Sequence, residues 1–325
     1  MSYQYSSLTA AIADKTCPLR QYFDQRFPNI KPVQATYRAA SGALLIDGST
    51  ASPGTLGAAF DFLVRFTLDA SYRPQIAAAA PPISDRPEHI AEVLEVARLA
   101  GAAAHRPLSE DALSTAIRAT WVLALCTELY RNPFIFPTSP LAEPILTGKF
   151  TTSTLLALAP EAALDQLRAL YMLAITELAD LLSPPPEAVA LGPTFTASRF
   201  CGADADLIVD GVLLELKTRL GTAKKSGERS DSLSLADIYQ VIGYTLFDTT
   251  DTFRIHTVAL YSARYGVLHR WPLQRLLDTL AGEPIDLATE RMKVLELLSQ
   301  GMSSVTETTS RYQAGSVPRL NRAHL

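Results

Sequence analysis

The chemistry this chain offers is concentrated in residues 203–218, ADADLIVDGVLLELKT, where Asp206, Glu215 and Lys217 interrupt an apolar run. Asp210-Gly211 is a strong two-residue turn signal, because a type I′ turn needs positive φ at both central positions and Asp-Gly tolerates it. A hairpin about that tip pairs Val209 with Val212, Ile208 with Leu213 and Leu207 with Leu214. It also sets Asp206 opposite Glu215 and Asp204 opposite Lys217. Side chains alternate along a strand, so Ala205, Leu207, Val209, Val212, Leu214 and Leu216 form one apolar face. Two carboxylates directly across a ladder repel each other, and a divalent cation with a lysine beside it offsets that repulsion. Magnesium takes oxygen ligands, keeps several waters and is usually held by one or two carboxylates plus a substrate phosphate. An ammonium beside such a water can hold or activate it for attack. The plainer reading is a Lys217–Asp204 pair at a sheet edge, worth well under about 1 kcal/mol. Asp204 also competes with Asp206 as the ligand, and the pairing opposite Glu215 favours Asp206.

Other elements must position these groups. Ser52-Pro53 is a capping residue followed by proline at the first helical position. Leu56, Phe60, Leu63 and Val64 then repeat at helical spacing, with Asp61 beside the stripe. Further helices are predicted over 7–14, 19–27, 90–104, 109–130 with Ser109 as cap, 161–182, 235–247 and 286–299. The pattern from 73 to 191 reads as helical throughout, punctuated by prolines. Residues 254–262 and 267–272 alternate as two strands about a turn at 263–266, and 195–201 reads as a short strand or loop. Residues 28–45 read as irregular chain, 218–232 as a mobile loop and 301–325 as a disordered tail. The chain thus divides into segments 1–45, 46–72, 73–195, 196–300 and 301–325.

The loop after Lys217 carries Arg219, Lys224, Lys225 and Arg229, a basic stretch suited to sequence-independent contact with phosphates. Tyr261, Arg264 and Tyr265 are candidates for stacking on bases. His256 and His269 fall in strands, where lone histidines are mostly structural. At 325 residues and a net charge of −4, any nucleic-acid surface must be local. Three scattered cysteines, Cys17, Cys126 and Cys201, suggest a reducing compartment. The first residues lack a signal peptide, and the longest apolar stretch, 164–182, is broken by Arg168, Glu177 and Asp180. A soluble cytoplasmic protein with no membrane span is expected. No GxxxxGK[ST] motif and no Ser–His–Asp grouping is present.

Asp206…Glu215-Leu216-Lys217 resembles the core of the PD-(D/E)XK nuclease superfamily. Gln240-Val-Ile-Gly-Tyr244 resembles the QxxxY helix motif of its RecB-type branch, and Gly57-Ala-Ala-Phe60-Asp61 resembles that branch's first motif with aspartate in place of histidine. The resemblance covers about 52–69 and 197–272, under a third of the chain. It implies an α/β, restriction-endonuclease-like fold: a small mixed sheet flanked by helices, with a large helical insertion at 73–195. It implies Mg²⁺- or Mn²⁺-dependent hydrolysis of DNA, with Asp61, Asp206, Glu215 and the Leu216 carbonyl as metal ligands. Lys217 would orient or activate water, Gln240 would steady the lysine or a phosphate, and Tyr244 would lie on the nucleic-acid side. Some members of the branch bind an iron–sulfur cluster through four cysteines; with three here, none is expected. A helicase or ATPase partner, in repair or in defence against foreign DNA, is a further implication. An inactive nuclease-fold scaffold and an RNA-directed nuclease are the alternatives.

Overall fold

The hairpin forms in the predicted register. In the computed structural model, which describes residues 3–104 and 109–313 (301–313 by backbone only), β2 (Leu207–Val209) pairs antiparallel with β3 (Val212–Lys217). Leu207 faces Leu214, Ile208 faces Leu213 and Val209 faces Val212. Asp210 and Gly211 take φ of 46° and 74°, as a type I′ tip demands. β1 (Val189–Leu191) adds antiparallel to β2, so the end of the stretch read as helical is an edge strand. β6 (Thr257–Ser262) runs parallel to β3 and antiparallel to β7 (Val267–Pro272), giving a five-stranded mixed sheet in the order β1-β2-β3-β6-β7. The segment 218–232 is ordered as a two-stranded ribbon, β4 (Thr222–Ala223) with β5 (Arg229–Ser230).

Both faces of this sheet are buried, because helices cover each. On one side lie α1 (Leu8–Ala13), α2 (Pro18–Arg26) and α3 (Ile30–Ala40). The third occupies what reads as irregular sequence; its Pro32 falls in the first turn, where the backbone N–H has no partner in any case. On the other side lie α4 (Pro53–Leu68), α5 (Pro81–Ser84), α6 (Pro87–Ala104), α7 (Glu110–Arg131), α8 (Ala142–Thr147), α9 (Thr152–Leu156) and α10 (Glu161–Glu177). After the ribbon, α11 (Leu235–Phe247) returns to the first side with α12 (Leu273–Ala281) and α13 (Leu287–Gln313). Residues 301–313 are therefore helical rather than irregular, and the remainder of the predicted tail, 314–325, lies outside the described residues. Residues 195–201 form a 3₁₀ turn, Thr196–Arg199.

Leu207, Val209, Leu214 and Tyr261 join one hydrophobic cluster with α4, α6, α7 and α10, so the helices of 73–188 share a core with α4. Ile208, Leu213, Val258 and Leu260 join a second cluster with α1, α2, α11 and α12. Ala205, predicted on the first face, packs in the second cluster, because strand alternation ends at Asp206. The helix with the length and apolarity of a membrane span is α7 rather than 164–182, and 72% of its apolar window is buried inside the protein. Ser52, Ser109 and Ser234 cap α4, α7 and α11 by accepting backbone N–H bonds from Thr55, Ala112 and Asp237.

Candidate metal and phosphate site

The β2–β3 ladder stops at Leu207–Leu214, one rung short of Asp206 and Glu215. Beyond it the strands part. Asp206 turns its backbone to β1, accepting from Gly192 N, and its side-chain Oδ2 accepts the Leu216 N–H at 2.7 Å. The N–H and C=O of one strand residue point to the same side, so the Leu216 carbonyl also faces this opening. Asp204, predicted across from Lys217, instead bridges Thr194 and is exposed.

Lys217 Nζ donates to Glu215 Oε1 at 2.7 Å and to Gln240 Oε1 at 3.0 Å, and lies 3.6 Å from Asp237 Oδ1. Gln240 Nε2 in turn donates to the Tyr244 hydroxyl at 2.7 Å. Glutamine and tyrosine one helical turn apart thus form a relay that fixes the lysine. Tyr244 is buried against Phe195, which puts it inside the protein rather than on a nucleic-acid surface. Burial alone would lower the Lys217 pKa, but Glu215 and Asp237 outweigh it and keep the ammonium charged.

Asp61 and Asp206 keep 18% and 24% of their side-chain surface exposed, whereas Glu215 keeps 5%, so Glu215 is the most enclosed of the three. Burial, with the charges of Asp206 and Asp61 adding to it, pushes Glu215 up to about 8. Burial, opposed by Arg65, pushes Asp61 up to about 7, and burial also raises Asp206. The three predicted carboxylates therefore share one electrostatic environment. Glu215 Oε2 is buried with no hydrogen-bond partner among the described residues, the kind of orphaned oxygen that a cation satisfies.

Arg65 carries no role in the sequence reading and is central here. Its Nε donates to Asp61 Oδ1 at 2.9 Å, its Nη2 lies 2.7 Å from Asp61 Oδ2 and 4.0 Å from Asp206 Oδ1, and its Nη1 donates to the Tyr72 hydroxyl at 2.9 Å. Gly192, at φ 61°, leaves room for the guanidinium; a Cβ there would collide with Nη1. The one trace of this pairing in sequence is the i,i+4 spacing of Asp61 and Arg65, which reads equally as a solvated helix face.

Among the described residues no three His, Cys, Asp or Glu side chains are grouped so as to hold a metal ion by themselves. The donor set that remains is Asp206, Glu215 and the Leu216 carbonyl, which suits an ion that completes its shell with water and phosphate.

The basic loop is less available than its sequence suggests. Arg219 pairs with Asp237 at 2.8 Å, Lys224 with Glu228 at 3.1 Å, and Arg229 donates to Gly221 O at 3.3 Å; Lys225 is exposed. Arg219 also lines a groove of about 340 Å³ with Gly48, Ser49, Thr218 and Thr222. Tyr261, Arg264 and Tyr265 are all buried and cannot stack on bases; Arg264 clamps the carbonyls of Ile46, Asp47 and Thr218. His269 stacks on Tyr37 at 3.8 Å with Trp271 alongside at 5.9 Å, and burial lowers its pKa to about 4, a structural residue. His256 bonds the Asp210 carbonyl at the hairpin tip. A wider depression of about 680 Å³ along α13 is lined by none of Asp61, Asp206 and Glu215. No protein-family model, curated protein or solved structure matches the chain.

Proposed function

We propose that the chain is a divalent-cation-dependent nuclease of the PD-(D/E)XK kind, with a restriction-endonuclease-like core, that hydrolyses phosphodiester bonds in DNA. The observation that carries the reading is the orphaned Glu215 Oε2, set beside Asp206 and next to a lysine held protonated by Glu215, Asp237 and Gln240. Asp206, Glu215 and the Leu216 carbonyl would hold Mg²⁺ or Mn²⁺, which when bound supplies positive charge for the phosphate and the attacking water. Hydrolysis joins a water oxygen to phosphorus and breaks the P–O bond to one sugar; one water hydrogen ends on the released hydroxyl. Lys217 orients that water and faces the phosphate with a fixed charge. Gln240 keeps the lysine from collapsing wholly onto Glu215, and Tyr244 keeps Gln240 in place. Arg219 and Lys225 attract the flanking strand along the groove after Lys217.

The test is cleavage of end-labelled single- and double-stranded DNA and RNA of one sequence. Cleavage of DNA in Mg²⁺ or Mn²⁺ that disappears with chelator, in Glu215→Gln and in Lys217→Ala is the expected result. Cutting by Lys217→Ala at the wild-type rate would remove the lysine from the mechanism. Preference for RNA would change the substrate. Mn²⁺ binding without any cleavage would make the chain a nuclease-fold binding protein.

A further inference from the structure

We infer that Arg65 is a built-in second cation of the site, and that Asp61 serves to hold it rather than to bind metal. The inference rests on the nuclease reading above and refines its ligand set. Both Asp61 oxygens are committed to one guanidinium fork, Oδ1 to Nε at 2.9 Å and Oδ2 to Nη2 at 2.7 Å. This bidentate pairing is the strongest arginine offers a carboxylate. The guanidinium is fixed on its other sides as well. Nη1 donates to Tyr72, the plane lies 5.6 Å from the Tyr72 ring centroid, and Gly192 walls it in. A metal that recruited Asp61 would strip this buried arginine of its anion, which is strongly unfavourable.

Nη2 meanwhile stands 4.0 Å from Asp206 Oδ1, so a fixed positive charge lies beside one of the proposed metal ligands. In two-metal phosphodiesterases the pair of cations clamps the attacking and leaving oxygens. Arginine remains charged at every working pH and presents a planar fork to phosphate oxygens. The chain therefore needs one exchangeable cation, with the other written into α4. An aspartate at the position of the branch's histidine follows from this, since imidazole could not anchor a guanidinium bidentately.

Calorimetric titration with Mn²⁺, with melting curves to verify folding, tests the inference without relying on turnover. Wild type is expected to bind one equivalent. Asp61→Asn/Arg65→Gln removes one charge of each sign, so the field on Asp206 and Glu215 changes little. It should still bind one equivalent with affinity within about threefold of wild type, while cleavage falls on the order of 100-fold for want of the fixed charge. Arg65→Gln alone frees Asp61 and should bind a second equivalent. Two equivalents on wild type, or a double variant weakened tenfold or more, would overturn the inference and leave the nuclease reading standing. No Mn²⁺ binding to wild type would remove both, and the wild-type stoichiometry decides even where a variant fails to fold.

Discussion

Burial, with the charge of Asp206 adding to it, lifts the Glu215 carboxyl from an ordinary 4.5 to about 8. Between those values the folded chain holds a proton that the unfolded chain has released, so stability falls as pH rises through the window. The metal-free melting temperature should therefore drop from about pH 5 to about pH 8, and Glu215→Gln should flatten that drop. Added Mn²⁺ should stabilise increasingly over the same range, because the cation binds the ionised carboxylate. Scanning fluorimetry against pH, with and without Mn²⁺, measures both; a flat wild-type profile would mean that Glu215 is not protonated in the cleft. Gln240→Ala should lower cleavage roughly 10- to 100-fold with Mn²⁺ affinity unchanged, the scale set by the loss of one oriented contact. Arg65→Ala, which strands Asp61, should cost about 3–5 kcal/mol in urea unfolding. At this scale strand alternation makes the Glu215–Lys217 pair legible in sequence, whereas Asp206 reaches the Leu216 N–H instead of facing Glu215 across the ladder. Arg65 is not legible, because an Asp–Arg pair four apart looks like a solvated helix face until α4 is seen to be covered on all sides. Tyr244, Tyr261 and Tyr265 mislead for the same reason: aromatic type suggests stacking on bases, and burial decides otherwise.

Among the elements, the hairpin is the most legible, since Asp210-Gly211 determines the register of the three rungs next to the tip, beyond which the strands part. Gly211→Ala places a Cβ 2.8 Å from the Arg254 carbonyl at a φ of 74°. It should cost roughly 1–3 kcal/mol by chemical denaturation, and a loss under about 0.5 kcal/mol would mean the turn relaxes without strain. α4 and α7 announce themselves by capping residues, Ser52 ahead of Pro53 and Ser109 ahead of Glu110. β1 is three residues after a proline cluster, too short to show a period. α3 is obscured by Pro32, and α12 goes unassigned from sequence although Leu273, Leu276, Leu277 and Leu280 repeat at helical spacing. The ribbon at 222–230 is polar throughout, so nothing in its composition separates it from a loop.

For the molecule as a whole, a sheet covered on both faces explains why Ile208 and Leu213 stand on the same face as Glu215 and Lys217: that face carries helices too. It also explains why α7, apolar enough for a bilayer, is a core helix. With a net charge of −4, attraction for a polyanion has to come from a local group of cations. Because Lys224 is already paired with Glu228 and Arg229 ties the ribbon together, Lys225→Glu should weaken DNA binding more than Lys224→Glu. It should also lower the salt slope by about 1. Equal effects of the two reversals on log affinity against log salt would show that the Lys224–Glu228 pair opens on binding.

Asp237 belongs to two structures at once. It closes the capping box that begins α11, accepting from Ser234, and it faces Arg219 and Lys217 across the cleft. Unwinding of that first turn would release the carboxylate and, with Gln240 a turn further on, slacken the grip on the ammonium. On the nuclease reading proposed above, a chain whose α11 has not yet formed lacks a positioned lysine, so activity would require that helix in place.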